Sequence, residues 1–173
     1  MHKNDSKDSC CTLKGSSLKL ALPFHDLKPI GVEVIAEEGV QLPSYETAGA
    51  AGLDLRAFIT EPVTLAPGDT KCIPTGIRVA IPLGYEIQIR PRSGMALKYQ
   101  IIPLNTPGTI DADYRGQIQV ILSNLGRQNF TVEPGMRVAQ MVLARHEILD
   151  WQPVATLSST ERGSRGFGGT GIH

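Results

Sequence analysis

From Val32 onward the chain alternates apolar and polar residues at the spacing of extended strands. Tyr85-Glu86-Ile87-Gln88-Ile89-Arg90 changes character at every residue, and Ile118-Gln119-Val120 does so before running into Ile121-Leu122. Period two sends successive side chains to opposite faces of a sheet. Short β-branched stretches recur at Val63-Thr64-Leu65, Ile77 to Ile81, Phe130-Thr131-Val132 and Val138 to Leu143. Pro67-Gly68 and Pro134-Gly135 fall between them, where Pro fixes φ and Gly accepts the positive φ of a type II turn. No segment keeps a 3.6-residue apolar period for the roughly ten residues of an ordinary helix, and Ser93 to Lys98 predicts one helical turn at most. Many short strands at close spacing predict an all-β sandwich, jelly roll or barrel.

The two ends depart from this grammar. Residues 1–29 are rich in Lys, Ser and Asp, have no period and end at Lys28-Pro29; they predict a mobile N-terminal extension. After about Asp150 the pattern decays, and residues 158–173 are Ser, Thr, Gly and Arg around a single Phe167. That segment cannot pack a core, which leaves residues 30–157 as the folded domain.

Composition narrows the chemistry a little. Apolar residues make up 41% of the chain, and Lys plus Arg and Asp plus Glu both count 17, for a net charge of zero. A nucleic-acid or anionic-membrane surface needs clustered basic excess, so neither partner is expected, and any anion handled here is a small one. Cys10, Cys11 and Cys72 form no disulfide framework, and none pairs with His2, His25, His146 or His173 at zinc-site spacing. Met1 to Asp8 is followed by no signal-type apolar region, and Leu18 to Phe24 is too short and too late to be one. The expectation is a cytoplasmic protein.

Four stretches carry side chains that strands alone do not call for. Arg92-Ser93-Gly94 puts a guanidinium, a hydroxyl and a freed backbone N–H in succession after a strand, which suits a phosphate; it suits equally an N-cap with Arg92 solvated. Asn105 to Gly116 reads as a hairpin turning at Pro107-Gly108, its mouth offering backbone groups that can read the edge of a base. In extended chain Asp111 and Asp113 share a face with Tyr114 opposite. A carboxylate there could orient and deprotonate a water, or belong to an Asx-rich turn with Tyr114 as a core aromatic. In Ala51-Gly52-Leu53-Asp54-Leu55-Arg56 the leucines point inward and Asp54 and Arg56 outward. Asp54 could hold Mg²⁺ through water or make a surface salt bridge. Arg162-Gly163-Ser164-Arg165-Gly166-Phe167-Gly168-Gly169-Thr170-Gly171 could form a lid of backbone nests, guanidinium groups and one stacking ring, or a loose tail.

Taken in order, these segments resemble the five motifs of the trimeric dUTPases (dUTP pyrophosphatases). Ala51-Gly52-Leu53-Asp54-Leu55 resembles the first and Pro91-Arg92-Ser93-Gly94-Met95 the second. Gly108-Thr109-Ile110-Asp111-Ala112-Asp113-Tyr114-Arg115-Gly116 resembles the third, Gly135-Met136-Arg137-Val138-Ala139-Gln140-Met141 the fourth, and Arg162 to Gly171 the fifth. The resemblance covers about residues 30–173. It implies a distorted jelly roll of the β-clip type, assembled as a homotrimer with active sites between subunits and residues 158–173 as a Gly-rich lid. It also implies Mg²⁺-dependent hydrolysis of dUTP to dUMP and pyrophosphate by water attack at the α-phosphorus, which supplies dUMP and keeps uracil out of DNA.

Carried over by residue, the resemblance gives Asp111 the attacking water and the ribose 3′-OH. Asn105, the backbone at Thr109 and Ile110, and Gln119 lie along uracil, and Tyr114 presses on the sugar where a 2′-OH would need room. Ser93, Gly94 and Gln140 line the phosphates with Arg92 beside them, and Asp54 holds Mg²⁺ through water. Arg162 and Thr170 meet the γ-phosphate while Phe167, followed by Gly168, covers the base. Arg137 is expected to support Asp111. Arg165 and Gly169 depart from the family pattern, where Gly and Ser respectively are usual.

Two other readings are open to the same motifs. A dCTP deaminase shares the fold and a related hairpin, but it needs a Glu in the strand after the hairpin, and Val120-Ile121-Leu122-Ser123-Asn124 has none. The deaminase also lacks the fifth motif. A non-catalytic nucleotide-binding trimer would have no use for the intact Asp111 and Tyr114.

Overall fold

The computed structural model describes residues 28–166, and all of its strands and its helix lie in the unit that begins at Val32. The strands are β1 (Glu33–Ala36), β2 (Leu53–Arg56), β3 (Val63–Leu65), β4 (Thr70–Pro74), β5 (Ile77–Ala80) and β6 (Tyr85–Arg90). A short helix α1 (Ser93–Tyr99) follows, and then β7 (Ile101–Pro103), β8 (Gly108–Ile110), β9 (Gln119–Asn124), β10 (Phe130–Val132) and β11 (Arg137–Arg145). They pair antiparallel in four sheets, ordered β1-β5, β10-β3, β2-β11-β6-β8 and β4-β9-β7.

The expected strands are present with the expected faces. In β6 it is Ile87 and Ile89 that are buried, and Val120 and Leu122 of β9 have no exposed surface. Leu55, Leu65, Ile73, Ile101, Ile118 and Val132 join them in one core. Burying each such side chain is worth about 1.5–3 kcal/mol, so a dozen of them hold short strands that could not persist alone. The Pro-Gly turns put Gly68 at φ 86 and Gly135 at φ 73, where a residue with a Cβ would be strained. Polar groups inside are matched. Asn124 donates to the carbonyls of Leu65 at 2.9 Å and Gln128 at 2.8 Å and accepts from the Gly126 amide at 2.9 Å.

Some local expectations are corrected. The single helical turn is a seven-residue helix whose N-cap is Arg92, with Ser93 as its first helical residue. Residues 111–114 are not extended; the Tyr114 amide donates to the Asp111 carbonyl at 3.2 Å, closing a turn. Two-residue alternation therefore fails there, and Tyr114 comes round to the side of Asp111. Arg162 stands in an exposed turn, its Nε donating to the Arg165 carbonyl at 2.9 Å. Phe167, Gly168 and Thr170 lie outside the described residues, as does nearly all of the expected N-terminal extension.

Candidate active site

The site residues expected from sequence fall into two groups in the single chain. The first surrounds a cavity of about 350 Å³ beside the β8 turn. Thr109, Ile110, Asp111, Tyr114, Gln117 and Gln119 line it, with Cys72 and Ile121 behind. β8 supplies Thr109 and Ile110 because it hydrogen-bonds the edge of β6, Ile110 standing opposite Ile87. β9 supplies Gln119, held by β4 on one side. Among the described residues the Asp111 carboxylate has no ion-pair partner, and it is exposed. Tyr114 is 43% exposed, and its hydroxyl donates to the Gln117 carbonyl at 3.0 Å. Asn105 sits at the mouth of the hairpin with its carboxamide over Gly108.

The second group is an ion network on β2, β11 and the entry to α1. Arg92 Nε donates to Asp54 Oδ1 at 2.9 Å, and Arg137 Nη1 lies 3.1 Å from Asp54 Oδ2. Glu46 flanks Arg137 at 3.6 Å. A bulge between Arg137 and Ala139 makes this possible. Gln140 stands opposite Asp54, so Arg137, three residues earlier, would face the other way in a regular strand. The extra residue returns it to the Asp54 face. Asp54 thus keeps only 19% of its side chain exposed, rather than standing free on the surface. Within the single chain Arg137 pairs with Asp54 and Glu46.

Gln140 is also tied. Its Nε2 donates to the Pro91 carbonyl at 2.8 Å, holding the chain just before Arg92-Ser93-Gly94. The carboxamide passes so close to Gly52 that a Cβ there would stand 2.3 Å from its Oε1. The first, second and fourth motifs therefore form one braced unit. Ser93 and Gly94 open α1, where the first backbone N–H groups lack intrahelical partners and favour an anion.

Geometry separates the two groups. Asp54 pairs across from Gln140, Gln140 from Arg90, and β8 lies on the far side of β6. From Asp54 that is three strand spacings, roughly 14 Å across the sheet, with about another 10 Å along it to Ile110, the residue before Asp111. Arg92, which follows β6, lies about five residues, roughly 17 Å, along the strand from the level of Ile110, so within one chain the two groups stand apart. Beyond β11 the described chain carries Ile148, Leu149, Trp151, Val154 and Leu157, all exposed, Trp151 by 82%.

Asp54 does not by itself make a metal site. Both its oxygens are engaged by guanidinium groups, and no cluster of three His, Cys, Asp or Glu occurs among the described residues. The donor set fits Mg²⁺ only as an outer contact through water to an ion whose main ligands are phosphate oxygens, the ion's usual mode with nucleotides. Sequence reasoning missed the Arg137–Asp54 pair, the Gln117 carbonyl, and Cys72 in the pocket wall. Only the Tyr114–Gln117 spacing, three residues within one turn, carried a local signal.

Comparison with known proteins agrees with the motifs. The dUTPase family model matches residues 38–171. Deoxyuridine 5'-triphosphate nucleotidohydrolase of Fusobacterium nucleatum is 54% identical over 145 residues, spanning 84% of this chain and 99% of the relative. The enzyme of that name from Chlamydia muridarum is 56% identical over 136 residues, spanning 78% of this chain and 94% of the relative. Among solved structures, the Staphylococcus bacteriophage 80alpha dUTPase with dUpNHpp superposes with a TM-score of 0.74 at 24% identity, covering 82% of this chain and 99% of that one. A mutant dUTPase from phage phi11 of S. aureus, which coordinates a structural Mg(II) ion, gives 0.67 at 22%, covering 75% and 100%. These likenesses show the jelly-roll fold of the β-clip type, and the matched residues and identities show that the chain belongs to the dUTPase family.

Proposed function

We propose that the chain hydrolyses dUTP to dUMP and pyrophosphate, with Asp111 handling the attacking water. The observation that carries this reading is the cavity that gathers Thr109, Ile110, Asp111, Tyr114 and Gln119 in a chain more than half identical to dUTP nucleotidohydrolases. Uracil lies along the Thr109 and Ile110 backbone with Asn105 and Gln119 beside it, and the sugar lies against Tyr114. Asp111, exposed and free of any ion pair among the described residues, accepts a proton from water and holds the ribose 3′-OH. The water oxygen bonds the α-phosphorus, the bridging oxygen leaves with pyrophosphate, and no enzyme group becomes covalently attached. Phosphoryl chemistry asks mainly for positioning and charge stabilisation, so one carboxylate with dispersed donors suffices.

The phosphates belong with Ser93, Gly94, Gln140 and Arg92, and these must come from another copy of the chain. The distance across the sheet supports that, and so does the exposed apolar run from Ile148 to Leu157, which needs a surface to cover it. We therefore read the active form as a homotrimer with shared sites. Arg162, Phe167, Gly168 and Thr170 act as a lid over the nucleotide. Asp54 holds Arg92 and Arg137 in place and would reach, through water, an Mg²⁺ ion bound mainly by the triphosphate oxygens, whose charge that ion would offset. No helix among the described residues is long and apolar enough to cross a membrane; a cytoplasmic site of action suits the substrate.

A panel of dNTPs with Mg²⁺, assayed for pyrophosphate, tests the reading. Turnover of dUTP is expected, with dTTP, dCTP and UTP nearly untouched. Ammonia released from dCTP would overturn it.

A further inference from the structure

Tyr114 stands where it does because Gly116 leaves it room. The phenol hydroxyl donates to the Gln117 carbonyl at 3.0 Å, so the ring folds back over its own turn. A Cβ built on Gly116 would lie 2.3 Å from that hydroxyl, 2.5 Å from Cζ and 2.9 Å from Cε2. Two ring carbons and the hydroxyl oxygen thus occupy the volume of the side chain that Gly116 lacks. Gly116 is not among the glycines with positive φ, so alanine suits its backbone and only the ring is displaced. The loop itself is braced, with Arg115 Nη1 donating to the carbonyls of Ala112 at 2.7 Å and Tyr114 at 2.9 Å. A ring with two torsions clears a methyl group by swinging out, away from the cavity it lines.

We infer that Gly116, together with the Gln117 carbonyl, is the positioning element that sets selectivity for deoxyribose over ribose, acting through Tyr114. The inference rests on the reading that the nucleotide's sugar meets Tyr114. A flat apolar wall rejects an added hydroxyl by about 10²-fold at best, and only while the wall stays fixed. A displaced ring loses that discrimination without touching the water or the phosphates.

The test is the ratio of kcat/KM for dUTP to that for UTP in the full chain. Gly116→Ala is expected to lower the ratio by about tenfold or more, with kcat on dUTP changed by less than about threefold. Tyr114→Phe, which keeps the ring and removes only its tie to Gln117, lowers the ratio less. Adding Gly116→Ala to Tyr114→Ala changes the ratio no further. An unchanged ratio in Gly116→Ala, or equal losses on both substrates, overturns the proposal. Fluorotyrosine NMR, with the Tyr114 signal assigned by Tyr114→Phe, keeps the cradle separate from the chemistry. A signal that Gly116→Ala leaves unmoved refutes the contact. A wild-type protein that never favours dUTP over UTP overturns both the selectivity role and the functional reading, whatever the fluorine signal does.

Discussion

Asp111 and Asp54 are the same residue type in two of the motifs, yet their surroundings give them opposite work. Asp111 stands exposed at a turn with no ion partner among the described residues. Asp54 is mostly covered and bonded by Arg92 and Arg137. A carboxylate that must take a proton gains from open access and from lone pairs not already committed. One committed to two guanidinium groups is an anchor, whose removal leaves two partly covered positive charges without their acceptor.

The sharpest way to break this contrast is Asp111→Asn. It should cost about 10³-fold in kcat while binding of a non-hydrolysable nucleotide and the melting temperature hold; full activity by pyrophosphate assay would remove Asp111 from its role. Next in size, truncation after Thr160 should lower kcat/KM by about 10²-fold with little change in melting, since the described residues beyond Thr160 are exposed. A melting drop without kinetic loss would contradict the lid. Asp54→Asn should act the other way round from Asp111→Asn. It is expected to cost about 2 kcal/mol in urea unfolding and to raise KM more than it lowers kcat. Smallest is Glu46→Gln. Glu46 is 63% exposed and 3.6 Å from Arg137, so its loss should stay within about 0.5 kcal/mol and vanish in high salt.

Strands with clean alternation, such as β6 and β9, were legible because the period that predicts them is the period the core buries. The three-residue β8 was not, since Gly108-Thr109-Ile110 is too short to show a period and is held only by the edge of β6. The Asp111–Tyr114 turn defeated alternation because a backbone hydrogen bond, and not burial, decides its shape. The motifs identified Asp54, Arg92 and Gln140 as site residues, but not what they touch. Arg92 and Arg137 lie 38 and 83 positions from Asp54, and no local pattern encodes a meeting at that range. Asp111 was legible as chemistry for the opposite reason: its immediate neighbours Thr109, Ile110 and Tyr114 share its pocket.

The bulge before Ala139 has a consequence for how this motif can vary. Period-two geometry makes every residue's face a matter of parity, and the bulge shifts that parity once, between Arg137 and Gln140. Deleting Val138 would leave the regular pairing of Arg137 with Arg56, Ala139 with Leu55 and Gln140 with Asp54, so Arg137 would stay on the Asp54 face. The loss would be a core side chain only 1% exposed. The bulge thus lets two successive residues, Val138 and Ala139, face the core while the charged residues on either side keep a common face. A change of length there is felt by the packing before it is felt by the charge network.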